Sequence, residues 1–169
     1  MAWFDPGGGA TSYVNGQFLE DALNNSVAFD LVQASTTTMK VALFKENITG
    51  QDPDTSETYG SGAYGSTYEV ADTGTYSAGG SALTGTTLTS ASGVLTFDES
   101  DATMEWTGAT WADGSAPIGA GIYESAVLTP GEDRLICAIR FGANDIPVTS
   151  GTFTITWSGS GIWYATYYS

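Results

Sequence analysis

The sequence predicts a mainly β fold: an antiparallel β-sandwich with one short N-terminal helix and an extended N-terminal arm. Three observations carry this. From residue 38 onward, apolar and polar residues alternate in several short runs, the period-two pattern of strands with one buried face. Clusters of Gly, Ser, Asp and Thr interrupt those runs roughly every 8–12 residues, the spacing of a sandwich or barrel. Helical apolar spacing occurs at one place, near the start of the chain.

Residues 1–14 read as an arm, with Trp3 and Phe4 ahead of Pro6 and the triple glycine Gly7 to Gly9. Consecutive glycines make a hinge rather than a packed element. The two aromatics at the tip need burial, either on the protein's own core or on a neighbouring subunit. Residues 15–169 then read as one β-sandwich domain. Its helix spans 16–25, where Phe18, Leu19, Ala22 and Leu23 share a face and Asn24 and Asn25 supply a stop. Such a helix should cover one face or end of a sheet.

The strand Met39-Lys40-Val41-Ala42-Leu43-Phe44-Lys45 sets Met39, Val41 and Leu43 on one face. Residues 46–66, rich in Asp, Thr, Ser, Gly and Tyr, read as a long exposed loop. Short β-like segments follow near 67–71, 82–90, 93–98 and 102–112. The last third holds the clearest strands. Pro117 to Glu124 centres on Ile118, Ile122 and Tyr123. Arg134 to Phe141 places Leu135, Cys137, Ile139 and Phe141 on one face, with Arg134, Ile136, Ala138 and Arg140 on the other. Thr152 to Trp157 turns Phe153, Ile155 and Trp157 inward and Thr outward, and Ile162 to Tyr168 closes the fold. The sandwich is Ig-like or jelly-roll-like.

Composition excludes several chemistries. Four cations (Lys40, Lys45, Arg134 and Arg140) face nineteen carboxylates, a net charge of −15. Phosphate backbones are bound by neutralising them with Lys and Arg. No basic groove can be built here, so neither nucleic acid nor an anionic membrane is an expected partner. The chain has no His, which removes the commonest general base and metal ligand. A lone cysteine, Cys137, can make neither an intrachain disulfide nor a thiolate cluster. It reads as a small buried hydrophobe. No run approaches the roughly 20 apolar residues of a membrane-spanning helix. The first residues lack a signal-peptide pattern, so the sequons at Asn24 and Asn47 read as incidental.

Candidate chemistry is sparse. Asp98-Glu99-Ser100-Asp101 and Asp52-Pro53-Asp54 could offer oxygens to calcium, but neither has calcium-loop spacing. They read as solvated acidic turns. Glu105 and Glu124 are the least implausible glycosidase pair, and a retaining enzyme would need them about 5 Å apart. Gly60-Ser61-Gly62-Ala63-Tyr64-Gly65 lacks the strand and helix of a phosphate cradle. The expectation is therefore a non-enzyme with no cofactor and no bound metal. The aromatics Trp163, Tyr164, Tyr167 and Tyr168 crowd the last strand. With Trp3 and Phe4 they form the expected partner interface, since exposed aromatics mark contacts. Sugar stacking is the second reading of the same rings.

The order of segments resembles small structural proteins of tailed bacteriophages: capsid decoration, minor capsid or minor tail proteins. The resemblance is carried by several motifs between residues 16 and 165: Met39 to Phe44, Tyr76-Ser77-Ala78-Gly79-Gly80, Leu83 to Gly85, Trp106 to Trp111 and Gly119 to Tyr123. Leu135 to Gly142 and Ile146 to Ile155 with Trp157 complete it. It implies a non-enzymatic virion protein, most of all a capsid decoration or cementing protein, made in the host cytoplasm and acting through contacts with copies of itself and the major capsid (or tail) protein. A minor tail protein of the same fold, or a carbohydrate- or receptor-binding module, is the alternative.

Overall fold

The computed structural model describes residues 13–24, 31, 39–45, 58–61, 64–100, 103–125, 133–142, 144–159 and 161–166. The fold is mainly β and antiparallel, with one short helix. Its strands are β1 (Tyr13–Val14), β2 (Met39–Lys45), β3 (Ser81–Ala82), β4 (Thr87–Ala91), β5 (Val94–Asp98), β6 (Thr103–Trp111), β7 (Pro117–Glu124), β8 (Leu135–Arg140), β9 (Val148–Thr156) and β10 (Trp163–Thr166). The helix α1 spans Gly16–Leu23. A five-stranded sheet has the order β1-β8-β7-β2-β3; β10-β5-β4 and β6-β9 form two smaller sheets.

One core lies between these sheets. Met39, Val41, Leu43, Ala120, Ile122 and Cys137 of the five-stranded sheet share a buried cluster with Phe97, Trp106, Trp111, Phe153 and Ile155 of the other two. On β9, Phe153 and Ile155 are buried while Thr152, Thr154 and Thr156 are exposed, as the alternation predicts. Trp157, expected inside, is half-buried at the edge of this core.

The five-stranded sheet is also covered on its opposite face. There Ala42, Phe44, Ile118, Tyr123, Leu135 and Ala138 form a second cluster with Tyr64. Every residue of β7 is consequently buried. The small residues of β7 make room for this layer. Phe44 pairs with Gly119 across the ladder and meets Tyr64 edge-on at 5.1 Å. A Cβ on Gly121 would sit 3.1 Å from both Phe44 and Leu135. The expectation of a long exposed loop over 46–66 is thus corrected at its end, where Tyr64 is buried; residues 46–57, with Asp52 and Asp54, lie outside the described residues.

Strict alternation fails in β8, and the cause is local. The ladder pairs Ile122 with Cys137 but Tyr123 with Leu135, so Ile136 is an extra residue opposite the β7 step. A bulge of this kind switches which face the following side chains occupy. Leu135 therefore joins Ala138 in the second cluster, while Ile136 joins Cys137 in the main core.

The ends of the fold also depart from expectation. Tyr13 and Val14, placed in the arm by sequence, pair with Ala138 and Cys137 as an edge strand. The rest of the arm, residues 1–12, lies outside the described residues. Asn15 caps α1, its Oδ1 accepting the Phe18 N–H at 2.9 Å. Phe18 is buried, but Leu19 and Leu23 are exposed, at 40% and 86%. The helix thus buries a narrower stripe than its apolar spacing promised. The segment near 67–71 is a single bridge, Phe44 to Glu69, rather than a strand. The β4–β5 hairpin turns on Ser92 and Gly93, both at positive φ, the two-residue geometry that matches sheet twist.

Candidate functional site

The most organised polar constellation surrounds Glu69, a carboxylate only 3% exposed. Backbone pairing places it. Lys45 N–H donates to Tyr68 O at 2.9 Å and Val70 N–H to Leu43 O at 3.0 Å, fastening residues 68–70 along the edge of β2. Three donors then converge. Tyr76 Oη donates to Oε1 at 2.6 Å, Gly79 N–H to Oε1 at 2.7 Å, and Tyr59 Oη to Oε2 at 2.6 Å. Tyr76 Oη also accepts the Leu43 N–H at 2.9 Å. Tyr59 stacks on Tyr123 with ring centroids 4.4 Å apart, and Tyr123 Oη donates to Gly79 O at 2.6 Å.

This arrangement holds protons rather than releasing them. Burial, followed by the field and hydrogen bond of Glu69, pushes the Tyr76 hydroxyl well above its ordinary range. Burial likewise raises Tyr59, with Glu69 adding to it, and raises Tyr123. All three stay neutral donors at physiological pH. A buried carboxylate needs such donors to compensate lost hydration. The constellation works chemically as an anchor.

What it anchors is the connection between two sheets. The Tyr76 ring meets Trp106 and Trp111 edge-on, each at 5.6 Å. Trp111 Nε1 donates to Ala71 O, and Trp106 Nε1 to Ser81 Oγ, both at 2.8 Å. Thr75 N–H donates to Thr107 O at 2.9 Å, and Thr107 N–H returns to Thr75 Oγ1 at 2.9 Å. The turn at 73–76 is thus bound to β6, while Glu69 is bridged to Phe44 of β2 and Ser81 pairs with Val41. At Gly80, with φ +67, an added Cβ would lie 1.8 Å from Val41 O, so only glycine fits.

A second feature is an apolar groove of about 510 Å³ between the ends of β8, β9 and β10. Ile139, Phe141, Ile146, Phe153, Trp157 and Ile162 contribute to its walls. Trp157 Nε1 is buried with no hydrogen-bond partner. A buried donor in that state is uncommon and disfavoured.

The residues singled out from the sequence are scattered. Glu105 is exposed on β6, opposite Thr154 in the two-stranded sheet; Glu124 is buried at the end of β7 in the five-stranded sheet. Glu99 is not a solvated turn residue: it is 8% exposed, and its Oε2 accepts the Thr84 N–H at 3.3 Å. Asp98 Oδ1 accepts the Glu99 N–H at 2.9 Å. Among the described residues, no three His, Cys, Asp or Glu side chains gather around a common point. Trp163, expected at a partner interface, is half-buried; it stacks on Phe97 at 5.7 Å and packs against the main core. Tyr164 lies in β10 opposite Thr96. Trp3, Phe4, Tyr167 and Tyr168 lie outside the described residues.

Cys137 is 3% exposed, and burial pushes its thiol up to about 12. None of the four cations is fully exposed: Arg140 is buried, its Nε donating to Gly142 O at 2.6 Å, and Lys40, Lys45 and Arg134 are half-buried. No helix among the described residues is long and apolar enough to cross a membrane. The chain matches no protein-family model, no curated protein and no solved structure.

Proposed function

We propose that this chain is a non-enzymatic structural protein of a tailed-phage particle, a capsid decoration or cementing protein that acts through contacts with its own copies and the major capsid protein. One observation carries the contact role. All five residues of β4 are exposed, none is charged, and among the described residues β4 pairs with β5 alone. Natural edge strands are normally protected by charge, Pro or cover, because an open edge templates pairing with another chain. An uncharged open edge on a protein of net charge −15 fits a surface kept for a subunit.

The remaining surface supports an outward position. With no fully exposed cation among its four, the exterior repels packaged nucleic acid. The buried polar groups around Glu69 hold the sheets together, which suits a part that bears load. The virion setting itself rests on the resemblance of segment order to small phage structural proteins.

The experiment compares particles that contain the chain with particles lacking it, challenged by heat and low ionic strength. Loss of integrity without the chain is expected; equal resistance would end the cementing role. The variant Leu88→Glu, on the exposed edge, should leave folding stability within about 0.5 kcal/mol, as for ordinary surface changes, while lowering incorporation. Unchanged incorporation would remove β4 from the interface.

A further inference from the structure

We propose that the apolar groove beside β8 and β9 is the seat of the chain's own N-terminal arm, with Trp3 and Phe4 as its occupants. This holds whether or not the virion reading does.

The direction of β1 is the first argument. Tyr13 pairs with Ala138 and Val14 with Cys137, antiparallel. The chain enters β1 at Tyr13, opposite Ala138, and the backbone beyond Ala138 runs on to Ile139 and Phe141, both walls of the groove. The arm therefore joins the fold on the groove's side. Gly7 to Gly9 lie within it, and glycine permits sharp reversals. From Tyr13 to Phe4 is nine residues, a reach of up to about 30 Å.

Chemical fit is the second argument. Ile139, Phe141, Ile146, Phe153, Trp157 and Ile162 give the groove an apolar wall beside the threonines of β9, and the arm carries two large apolar rings, Trp3 and Phe4. A groove of about 510 Å³ lies within the range of roughly 300–1,000 Å³ that accepts compact ligands. Tethering favours the chain's own arm over a neighbour's, because a short linker supplies an effective concentration in the millimolar range.

The test uses the full chain and three variants. Trp3 emission, isolated as the difference between wild type and Trp3→Phe, should be blue-shifted and shielded from acrylamide. The change Ile146→Asp, on a groove residue that is 40% exposed, should make that emission quenchable without altering the far-ultraviolet circular dichroism. A chain lacking residues 2–9 should bind a hydrophobic dye several-fold more than wild type. It should also bind a peptide of residues 1–12, which the full chain should not. A Trp3 signal as quenchable as free tryptophan in wild type, or a truncated chain that binds neither dye nor peptide, would overturn the proposal. A full chain that is dimeric and becomes monomeric on truncation would also overturn it, by assigning the groove to a neighbour's arm.

Discussion

Removing the Tyr76 hydroxyl should be far more damaging than removing that of Tyr59, although both donate to the same carboxylate at 2.6 Å. Tyr76 is 1% exposed and its oxygen serves two bonds, donating to Glu69 and accepting from Leu43 N–H. In Tyr76→Phe the lost bond to a charged acceptor is worth about 1.5–3 kcal/mol, and the stranded Leu43 N–H adds about 1–3 kcal/mol. With partial relaxation the expected loss is about 3–5 kcal/mol, a large part of the roughly 5–15 kcal/mol that holds a domain together. Tyr59 is half-buried, so water can replace its hydroxyl, and Tyr59→Phe should lose about 1 kcal/mol. Urea unfolding followed by tryptophan emission and circular dichroism, with matched m-values, measures both. For a chain of this size the Tyr76 variant should melt about 6–20 °C lower. A Tyr76→Phe chain within about 0.5 kcal/mol of wild type, inside the ordinary range of surface changes, would refute the anchor at Glu69. So would a Tyr59 variant less stable than the Tyr76 variant.

Other outcomes follow from the same structure. Stability should fall as pH rises above about 10, the ordinary tyrosine range. There the unfolded chain releases phenolic protons that Tyr59, Tyr76 and Tyr123 retain when folded, so unfolding gains driving force. The share of tyrosinate absorbance that belongs to these three, identified by its loss in their Phe variants, should appear together with loss of circular dichroism rather than before it. Cys137, buried with its thiol raised to about 12, should resist disulfide reagents at pH 8 until denaturant is added; fast native labelling would contradict its burial. Gly80→Ala should destabilise by more than about 3 kcal/mol, since left-handed strain of about 1–3 kcal/mol is joined by a clash with Val41 O. Calorimetry checks it. Ser92→Asn should raise stability by a few tenths of a kcal/mol, because Asn tolerates the positive φ of this turn better than Ser.

Much of the β architecture was legible because alternation reports a half-buried strand directly. β2, β6 and β7 lie where the apolar periodicity puts them, and β9 begins four residues ahead of the expected Thr152, at Val148. The face assignment in β8 failed because a bulge at Ile136 is a property of pairing with β7, which no single segment encodes. Tyr64 read as loop because a tyrosine among Gly and Ser looks exposed; it is buried because the small residues of β7 leave a hollow for Phe44 and its neighbour. Glu69 carries only a weak sequence signal: a lone acid between Tyr68 and Val70, where a solvated turn would carry more polar company. Tyr59, Tyr76 and Tyr123 come from separate segments, and only the folded chain brings their hydroxyls to one place. The candidate glycosidase pair depended on spatial proximity, which sequence cannot supply, and Glu105 and Glu124 lie in different sheets.

The proposed role is that of a structural part that works by contact. Quantitative mass spectrometry of purified particles, produced from a genome encoding this chain, tests it most directly. The chain should be present at a fixed copy number relative to the major capsid protein and be retained through density-gradient purification. Its absence from such particles, or a copy number that varies from one preparation to the next, would rule the proposed role out.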